Sequence, residues 1–225
     1  MKILCLGDSY TLGEGVPAED SWPHQLVHAL RKRDAPVASP EIIAQTGWTT
    51  EELQEAMTHH ELTPPYELVT LMIGVNDQYR GHGIERYTEG FKALLDQALS
   101  LAGNRPKRVF VLSIPDWSVT PYAKTQTPER DPAQIAAEIK AFNAVAARLC
   151  YAQNIPYIHV TEMSRDARRG DIYLSDDGLH YSRKMYSHWV EHVFPRVFNT
   201  LFPGRAIHIP LLYQETDTAH ESTQA

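Results

Sequence analysis

Apolar runs that suit buried β-strands alternate along the chain with segments whose apolar residues recur at helical spacing. Five runs are predicted strands: Lys2–Gly7, Glu41–Gln45, Glu67–Ile73, Lys107–Ser113 and Ile155–Val160. Most of them are continuously apolar, which is typical of strands that are covered on both faces. The alternation therefore predicts an α/β fold built on a parallel sheet.

Two of the predicted helices have clear start signals. Thr49-Thr50-Glu51-Glu52 has the spacing of a capping box and predicts a helix to about His59. Asp131-Pro132 places a capping side chain before a first-turn proline, and apolar residues follow at helical spacing from Ile135 to Leu149. Three further helices are predicted at Ser21–Arg33, Ile84–Leu101 and Ser182–Leu201.

The composition fits one ordinary domain. Of the 225 residues, 43% are hydrophobic and 22% are charged, which is usual for a single α/β domain. We predict one domain over residues 1–203 and a polar tail, residues 204–225, that is partly disordered. The formal net charge of -7 argues against a nucleic-acid partner, because such surfaces are basic.

The apolar run at the N-terminus, Ile3–Leu6, is too short for the core of a signal peptide. No segment reaches the roughly 20 apolar residues of a membrane span. We therefore expect a cytoplasmic protein without a membrane span. Cys5 and Cys150 are too few for a disulfide framework, so two reduced, buried thiols are expected, and a single bridge between them stays open.

Chemically distinctive residues follow the predicted strands. Ser9 follows the first strand, Gly47 the second and Asn76 the third, and Asp177 and His180 come in the loop after the last. Ligands of open α/β sheets bind beyond the carboxyl ends of the strands. We therefore expect these five residues to meet at one edge of the sheet.

This set matches the needs of acyl transfer. A serine hydroxyl attacks an ester only if a histidine takes its proton, and a carboxylate must hold that histidine in the right tautomer. Ser9, His180 and Asp177 can fill these roles. The oxyanion of the tetrahedral intermediate needs hydrogen-bond donors. The candidates are the backbone N–H groups of Ser9 and Gly47 and the side-chain amide of Asn76.

Four sequence blocks resemble those of the SGNH, or GDSL, hydrolase family. They are Gly7-Asp8-Ser9-Tyr10, Gly47 in the second block, Gly74-Val75-Asn76-Asp77 and Asp177-Gly178-Leu179-His180, in the order of the family. Tyr10 stands where the family name has leucine, and its side chain is expected to face the fold. Four blocks in the right order, each at a strand end, make the resemblance specific.

The resemblance implies a three-layer α/β/α sandwich, flavodoxin-like, with a five-stranded parallel sheet in the order 2-1-3-4-5. It also implies that Ser9, Gly47, Asn76 and His180 are the four name-giving residues. Asp177 is then the partner of His180.

Aromatic residues near the same edge are candidates for substrate binding. Trp117 and Tyr122 belong to the loop after the fourth strand, and Trp48 follows Gly47. They could stack on a sugar ring or enclose a short acyl chain, or simply pack the loop against the domain. Four arginines would suit an anionic substrate: Arg80, Arg165, Arg168 and Arg169.

The sequence thus predicts a serine esterase that cleaves small carboxylic esters with short acyl chains, such as acetylated sugars, through an acyl-Ser9 intermediate. Neither a metal nor a cofactor is expected, and the only partner predicted is the small-molecule ester. A lysophospholipase or an acyl-CoA thioesterase would use the same triad and stays open. A metallophosphoesterase and a non-catalytic, flavodoxin-like binding domain are the remaining alternatives.

Overall fold

A five-stranded parallel sheet forms the centre of the protein. The computed structural model describes residues 1–126, 129–166 and 170–209. Its strands are β1 (Ile3–Asp8), β2 (Glu41–Gln45), β3 (Leu68–Met72), β4 (Val109–Leu112) and β5 (Tyr157–Ile158). They lie in the order β2-β1-β3-β4-β5, and each neighbouring pair is parallel. The predicted sheet order is confirmed.

Helices cover both faces of the sheet. They are α1 (Ser9–Leu12), α2 (Trp22–Arg31), α3 (Thr50–Thr58), α4 (Val75–Tyr79), α5 (Ile84–Leu101), α6 (Pro121–Thr125), α7 (Pro132–Ala152), α8 (Thr161–Ser164) and α9 (Arg183–Leu201). Helix α2 packs against α9, whereas α5 packs against both α3 and α7. The three-layer α/β/α sandwich is thereby confirmed.

The two start signals found in the sequence cap the helices as predicted. The Thr49 side chain accepts from the backbone N–H of Glu52, and the Glu52 carboxylate accepts from the N–H of Thr49 at 2.8 Å. Asp131 accepts from the N–H of Ala133 at 3.0 Å at the start of α7. These bonds satisfy N–H groups that have no acceptor within their own helices.

Strand β5 is much shorter than the predicted run Ile155–Val160. Only Tyr157 and Ile158 pair with β4. The flanking residues bond elsewhere: the N–H of Ile155 donates to the carbonyl of Cys150 at 2.9 Å, and the N–H of Val160 donates to the Ser113 hydroxyl at 2.8 Å. The predicted strand was too long because Ile155 and Val160 are buried, as strand residues would be, but do not pair with β4.

Part of the predicted tail is hydrogen-bonded to α9. Ile207, within the predicted tail, is held by both amide atoms of Asn199, at 2.7 and 2.9 Å. Residues 210–225 lie outside the described residues.

Cys5 and Cys150 are free and buried, and burial raises the pKa of each thiol to about 12. In the described part of the chain, no helix has the length and apolar character of a membrane span.

Gly74, between β3 and α4, has a backbone that favours glycine and has no room for a side chain. Its φ is +125°, and an added Cβ would lie 2.5 Å from Cε2 of Tyr87 and 2.9 Å from Cδ1 of Ile114. We expect Gly74→Ala to lower the free energy of unfolding by about 3 kcal/mol, through positive-φ strain and overpacking together. Denaturant-induced unfolding measures this.

Gly81 is the matched control for that substitution. Its φ is +73°, but no other heavy atom lies within 4 Å of the position that a Cβ would take. Gly81→Ala should therefore show only the backbone strain of about 1 kcal/mol. Equal losses in the two variants would contradict a role for crowding at Gly74.

Candidate active site

Ser9 lies at the carboxyl edge of the sheet, directly after β1, as the first residue of α1. The preceding residue, Asp8, caps this helix by accepting from the N–H of Tyr10 at 3.0 Å. Burial raises the pKa of the Asp8 carboxyl to about 7, and the charge of Asp77 adds to the rise. First-turn N–H groups of a helix lack acceptors within the helix. The turn that presents Ser9 therefore also offers backbone donors.

His180 and Asp177 form a hydrogen-bonded pair. Nδ1 of His180 lies 2.5 Å from Oδ2 of Asp177, and only 10% of the imidazole side chain is exposed. Because a carboxylate only accepts, the Nδ1 proton is on the imidazole, which leaves Nε2 as a possible base. This is the tautomer that activation of a serine requires.

Asp177 is kept ionised by the donors around it. Partial burial raises its pKa, but the His180 ring, the N–H groups of Leu179 and His180 and the Ser175 hydroxyl outweigh this effect and lower the pKa to about 2. The Ser175 hydroxyl donates to Oδ1 at 2.8 Å, and the two N–H groups donate to the same oxygen at 2.8 and 2.9 Å. One carboxylate thus orders both the loop and the imidazole.

Aromatic packing supports the imidazole from the side of the core. The Tyr10 ring lies 5.7 Å from the His180 ring and 5.3 Å from that of Tyr181, and it contacts Trp189. Tyr10 is 2% exposed, so most of its side chain is buried against the fold. These contacts restrict the tilt of the His180 ring.

The second and third blocks bring two more donors to this edge. Gly47 occupies the turn after β2 with φ +86°, a backbone conformation that favours glycine. Asn76 lies in α4, and its Nδ2 donates to the carbonyl of Trp48 at 2.9 Å. An amide nitrogen has two hydrogens, so this bond fixes the side chain and leaves one N–H for a ligand.

One cavity of about 130 Å³ joins these groups. It is lined by Ser9, Tyr10, Thr46, Gly47, Val75, Asn76, Tyr79, Trp117, Tyr122, Leu179 and His180. Four of the predicted site residues, Ser9, Gly47, Asn76 and His180, therefore share one cavity. The fifth, Asp177, reaches it through the imidazole of His180.

Three aromatic side chains also line the cavity: Tyr79, Trp117 and Tyr122. The Trp117 ring lies 5.6 Å from that of Tyr79 and 6.2 Å from that of Tyr122. The two tyrosine hydroxyls are 3.0 Å apart, and this hydrogen bond raises the pKa of Tyr122. Nε1 of Trp117 donates to Gln78 at 2.8 Å. These side chains are thus tied to the fold by hydrogen bonds.

Only two of the three aromatic residues predicted to bind substrate line the cavity. Trp117 and Tyr122 line the cavity, whereas Trp48 is not among the lining residues and contributes its carbonyl to Asn76. Of the candidate cations, Arg165 pairs with Asp116 at 2.9 Å. Arg80 pairs with Glu52, and Arg168 and Arg169 lie outside the described residues.

Sequence reasoning missed five lining residues. Tyr10, which was expected to face the fold, also lines the cavity. Thr46, Val75 and Leu179 are immediate neighbours of the predicted Gly47, Asn76 and His180, so each motif block could have been extended by one residue. Tyr79 had a weaker signal. It lies three residues after Asn76, and this spacing puts the two on one face only if a helix begins at Val75.

Asp8 and Asp77 stabilise the loops around the site through hydrogen bonds. Asp8 caps α1, and Asp77 accepts from the hydroxyl and the N–H of Thr50 at 2.7 and 2.9 Å. Among the described residues, no three His, Cys, Asp or Glu side chains converge as metal ligands would.

Solved structures share this fold. A lipase/acylhydrolase from Enterococcus faecalis is 21% identical with a TM-score of 0.68, and the match covers 88% of this chain and 95% of that one. The acetylxylan esterase Axe2 from Geobacillus stearothermophilus is 15% identical (TM-score 0.64; 89% and 93%). Esterase EstA from Pseudoalteromonas sp., inhibited by monoethylphosphonate, is 16% identical (TM-score 0.61; 90% and 97%).

The sequence itself matches a family. No curated protein matches it at a significant level. The model of the GDSL-like Lipase/Acylhydrolase family matches residues 5–188, a span that includes all five predicted site residues from Ser9 to His180. The chain therefore belongs to the GDSL-like lipase/acylhydrolase family.

Proposed function

We propose that this protein is a serine esterase that hydrolyses small carboxylic esters with short acyl chains. The observation that carries the proposal is the single cavity that contains Ser9, His180 and the donors Gly47 and Asn76. The 2.5 Å contact from His180 to Asp177 gives the imidazole the tautomer of a general base. Nucleophile, base and oxyanion donors are the complete set for acyl transfer.

The first half of the reaction acylates the enzyme. As Oγ of Ser9 attacks the ester carbonyl carbon, Nε2 of His180 takes its proton. The oxyanion accepts hydrogen bonds from the N–H groups of Ser9 and Gly47 and from the Asn76 amide. His180 then protonates the leaving alkoxide, and the alcohol departs while the acyl group stays on Ser9.

The second half restores the enzyme. A water molecule gives a proton to His180 as its oxygen attacks the acyl carbon. The second tetrahedral intermediate uses the same donors. When it collapses, the carboxylic acid leaves and the proton returns from His180 to Oγ of Ser9. Asp177 stays ionised and balances the charge of the imidazolium in both halves.

The size and lining of the cavity support a short acyl group. A volume of about 130 Å³ is small beside the roughly 300–1,000 Å³ of pockets that hold drug-sized ligands. Trp117, Tyr79 and Tyr122 close its apolar side. The acyl chain of a lysophospholipid or a long-chain acyl-CoA would extend beyond a cavity of this size. Acetylated sugars fit the proposal, because aromatic faces near a cavity can also contact a sugar ring.

Two measurements on the purified protein test the proposal. Hydrolysis of p-nitrophenyl esters should be fastest for acetate to butyrate and should fall by at least tenfold for octanoate and longer chains. A serine-directed ethylphosphonate should add one phosphonyl group to the intact mass. Active protein that forms no adduct would overturn the acyl-Ser9 route, and a profile that peaks at long chains would overturn the short-acyl specificity.

A further inference from the structure

The loop that follows β2 is held against α4 by hydrogen bonds from successive residues. The Asn76 amide donates to the carbonyl of Trp48 at 2.9 Å. Asp77 accepts from the N–H and the hydroxyl of Thr50 at 2.9 and 2.7 Å. Helix α4 therefore fixes the far side of this loop directly. Gly47, the candidate oxyanion donor, lies outside these bonds.

Arg80 makes the contact that reaches Gly47. It follows the last residue of α4, and its Nη2 donates to the carbonyl of Gly47 at 2.6 Å. Its Nη1 donates to Oε1 of Glu52 at 3.1 Å. The other Glu52 oxygen accepts from the N–H of Thr49 in the capping box of α3. One guanidinium thus ties Gly47 to two helices.

Gly47 depends on this contact more than an ordinary residue would. Glycine is the least restricted residue of the chain, and here it has φ +86°. The turn itself is closed by a long bond, 3.3 Å from the N–H of Trp48 to the carbonyl of Gln45. Among the described residues, Arg80 provides the one side-chain hydrogen bond to the Gly47 backbone.

We propose that Arg80 is a positioning residue that keeps the N–H of Gly47 directed at the oxyanion. The inference rests on the proposed esterase function and adds a residue to it. Oxyanion stabilisation needs donors that are in place before charge develops. Without Arg80, the Gly47 turn would sample orientations in which its N–H misses the oxyanion. The effect of Arg80 on kcat would then depend less on its charge than on its two donor nitrogens, which bind Gly47 and Glu52 at the same time.

The expected effect of Arg80→Ala is a loss of kcat with little change in KM. Complete removal of an oxyanion donor lowers kcat by about 10²–10³-fold, so a loosened donor should lower it by roughly 10–50-fold. KM for p-nitrophenyl acetate should stay within about twofold, because the ground-state carbonyl carries little charge. Phosphonylation of Ser9 should slow in parallel with kcat.

Two variants separate this role from general effects of losing a surface arginine. Arg86 makes a two-point ion pair with Glu51 at 2.6 and 2.7 Å, and its side chain is 51% exposed against 44% for Arg80. Arg86→Ala should therefore lower the melting temperature by as much as Arg80→Ala does, but it should leave kcat unchanged. Arg80→Lys keeps the charge but has one donor nitrogen in place of two, so it should restore only part of kcat.

A direct role of Arg80 in binding an anionic substrate predicts a different pattern. The mono-p-nitrophenyl ester of succinate carries a negative charge, whereas p-nitrophenyl acetate is neutral. A positioning role lowers kcat for both esters by the same factor. A rise in KM confined to the succinate ester, with full rescue by Arg80→Lys, would overturn the proposal.

The failure of this inference can be told from failure of the esterase function. If the wild type neither hydrolyses esters nor forms the phosphonate adduct, the proposed function is wrong. If the wild type does both and Arg80→Ala keeps the kcat of Arg86→Ala, only the positioning role is wrong.

Discussion

Ser9→Ala is expected to lower kcat for p-nitrophenyl acetate by about 10⁴–10⁶-fold and to abolish phosphonate labelling. The substitution removes the atom that attacks the ester and leaves His180 without a proton to accept. Ser9 is 4% exposed and follows β1 directly, yet alanine differs from serine by one atom. The melting temperature should therefore shift little. Initial rates at saturating substrate and intact mass measure the two effects.

Ser118→Ala is the matched control. Ser118 lies in the loop that carries Trp117, and within the described part of the chain its hydroxyl makes no hydrogen bond. This variant should keep wild-type kcat and its phosphonate adduct. Turnover by Ser9→Ala within tenfold of wild type would show that another group attacks the ester.

Asp177→Asn is expected to lower kcat by about 10³–10⁴-fold. An amide can donate to the imidazole, which favours the tautomer with its proton on Nε2, and that tautomer cannot take the proton of Ser9. The asparagine also loses the charge that balances the imidazolium. Stopped assays at high enzyme concentration measure the residual rate. The neighbouring Asp176 is exposed, and Asp176→Asn should leave kcat unchanged.

The ionisation of Asp177 also fixes what a pH profile reports. Its pKa is lowered to about 2, so it loses its charge only as the pH falls through that value. Asp177 therefore does not account for an activity loss at mildly acid pH. The Asp8 carboxyl, whose pKa is raised to about 7, takes up its proton in that range, and a histidine base must be unprotonated to accept from Ser9. Wild-type kcat/KM that stayed flat down to about pH 4 would contradict a histidine base.

Sequence reasoning found most residues of the candidate site because its signals are local. Ser9, Asn76 and His180 each lie in a short block after a strand, and the carboxyl ends of parallel strands meet at one edge. Apolar runs alone predicted the strands. The strand order came from the family resemblance, because pairing between distant segments leaves no trace in the pattern of one chain.

The contacts between loops could not be predicted in the same way. Arg80 was a candidate ligand for an anionic substrate, but it donates to the carbonyl of Gly47, a group that every residue carries. Trp48 was a candidate binding residue, and its carbonyl is what holds Asn76. Backbone atoms act here, and residue type does not reveal their partners. Helix α4 was missed because five residues are too few for a helical period.

The strand order β2-β1-β3-β4-β5 has a consequence for synthesis of the protein on the ribosome. Ser9, the proposed nucleophile, follows β1, whereas His180, its proposed base, lies beyond β5. A nascent chain contains β1, β2, β3 and Ser9 long before His180 has been translated. Under the proposed mechanism, Ser9 of such a chain lacks its proton acceptor, so ester hydrolysis would begin only when almost the whole domain has been made.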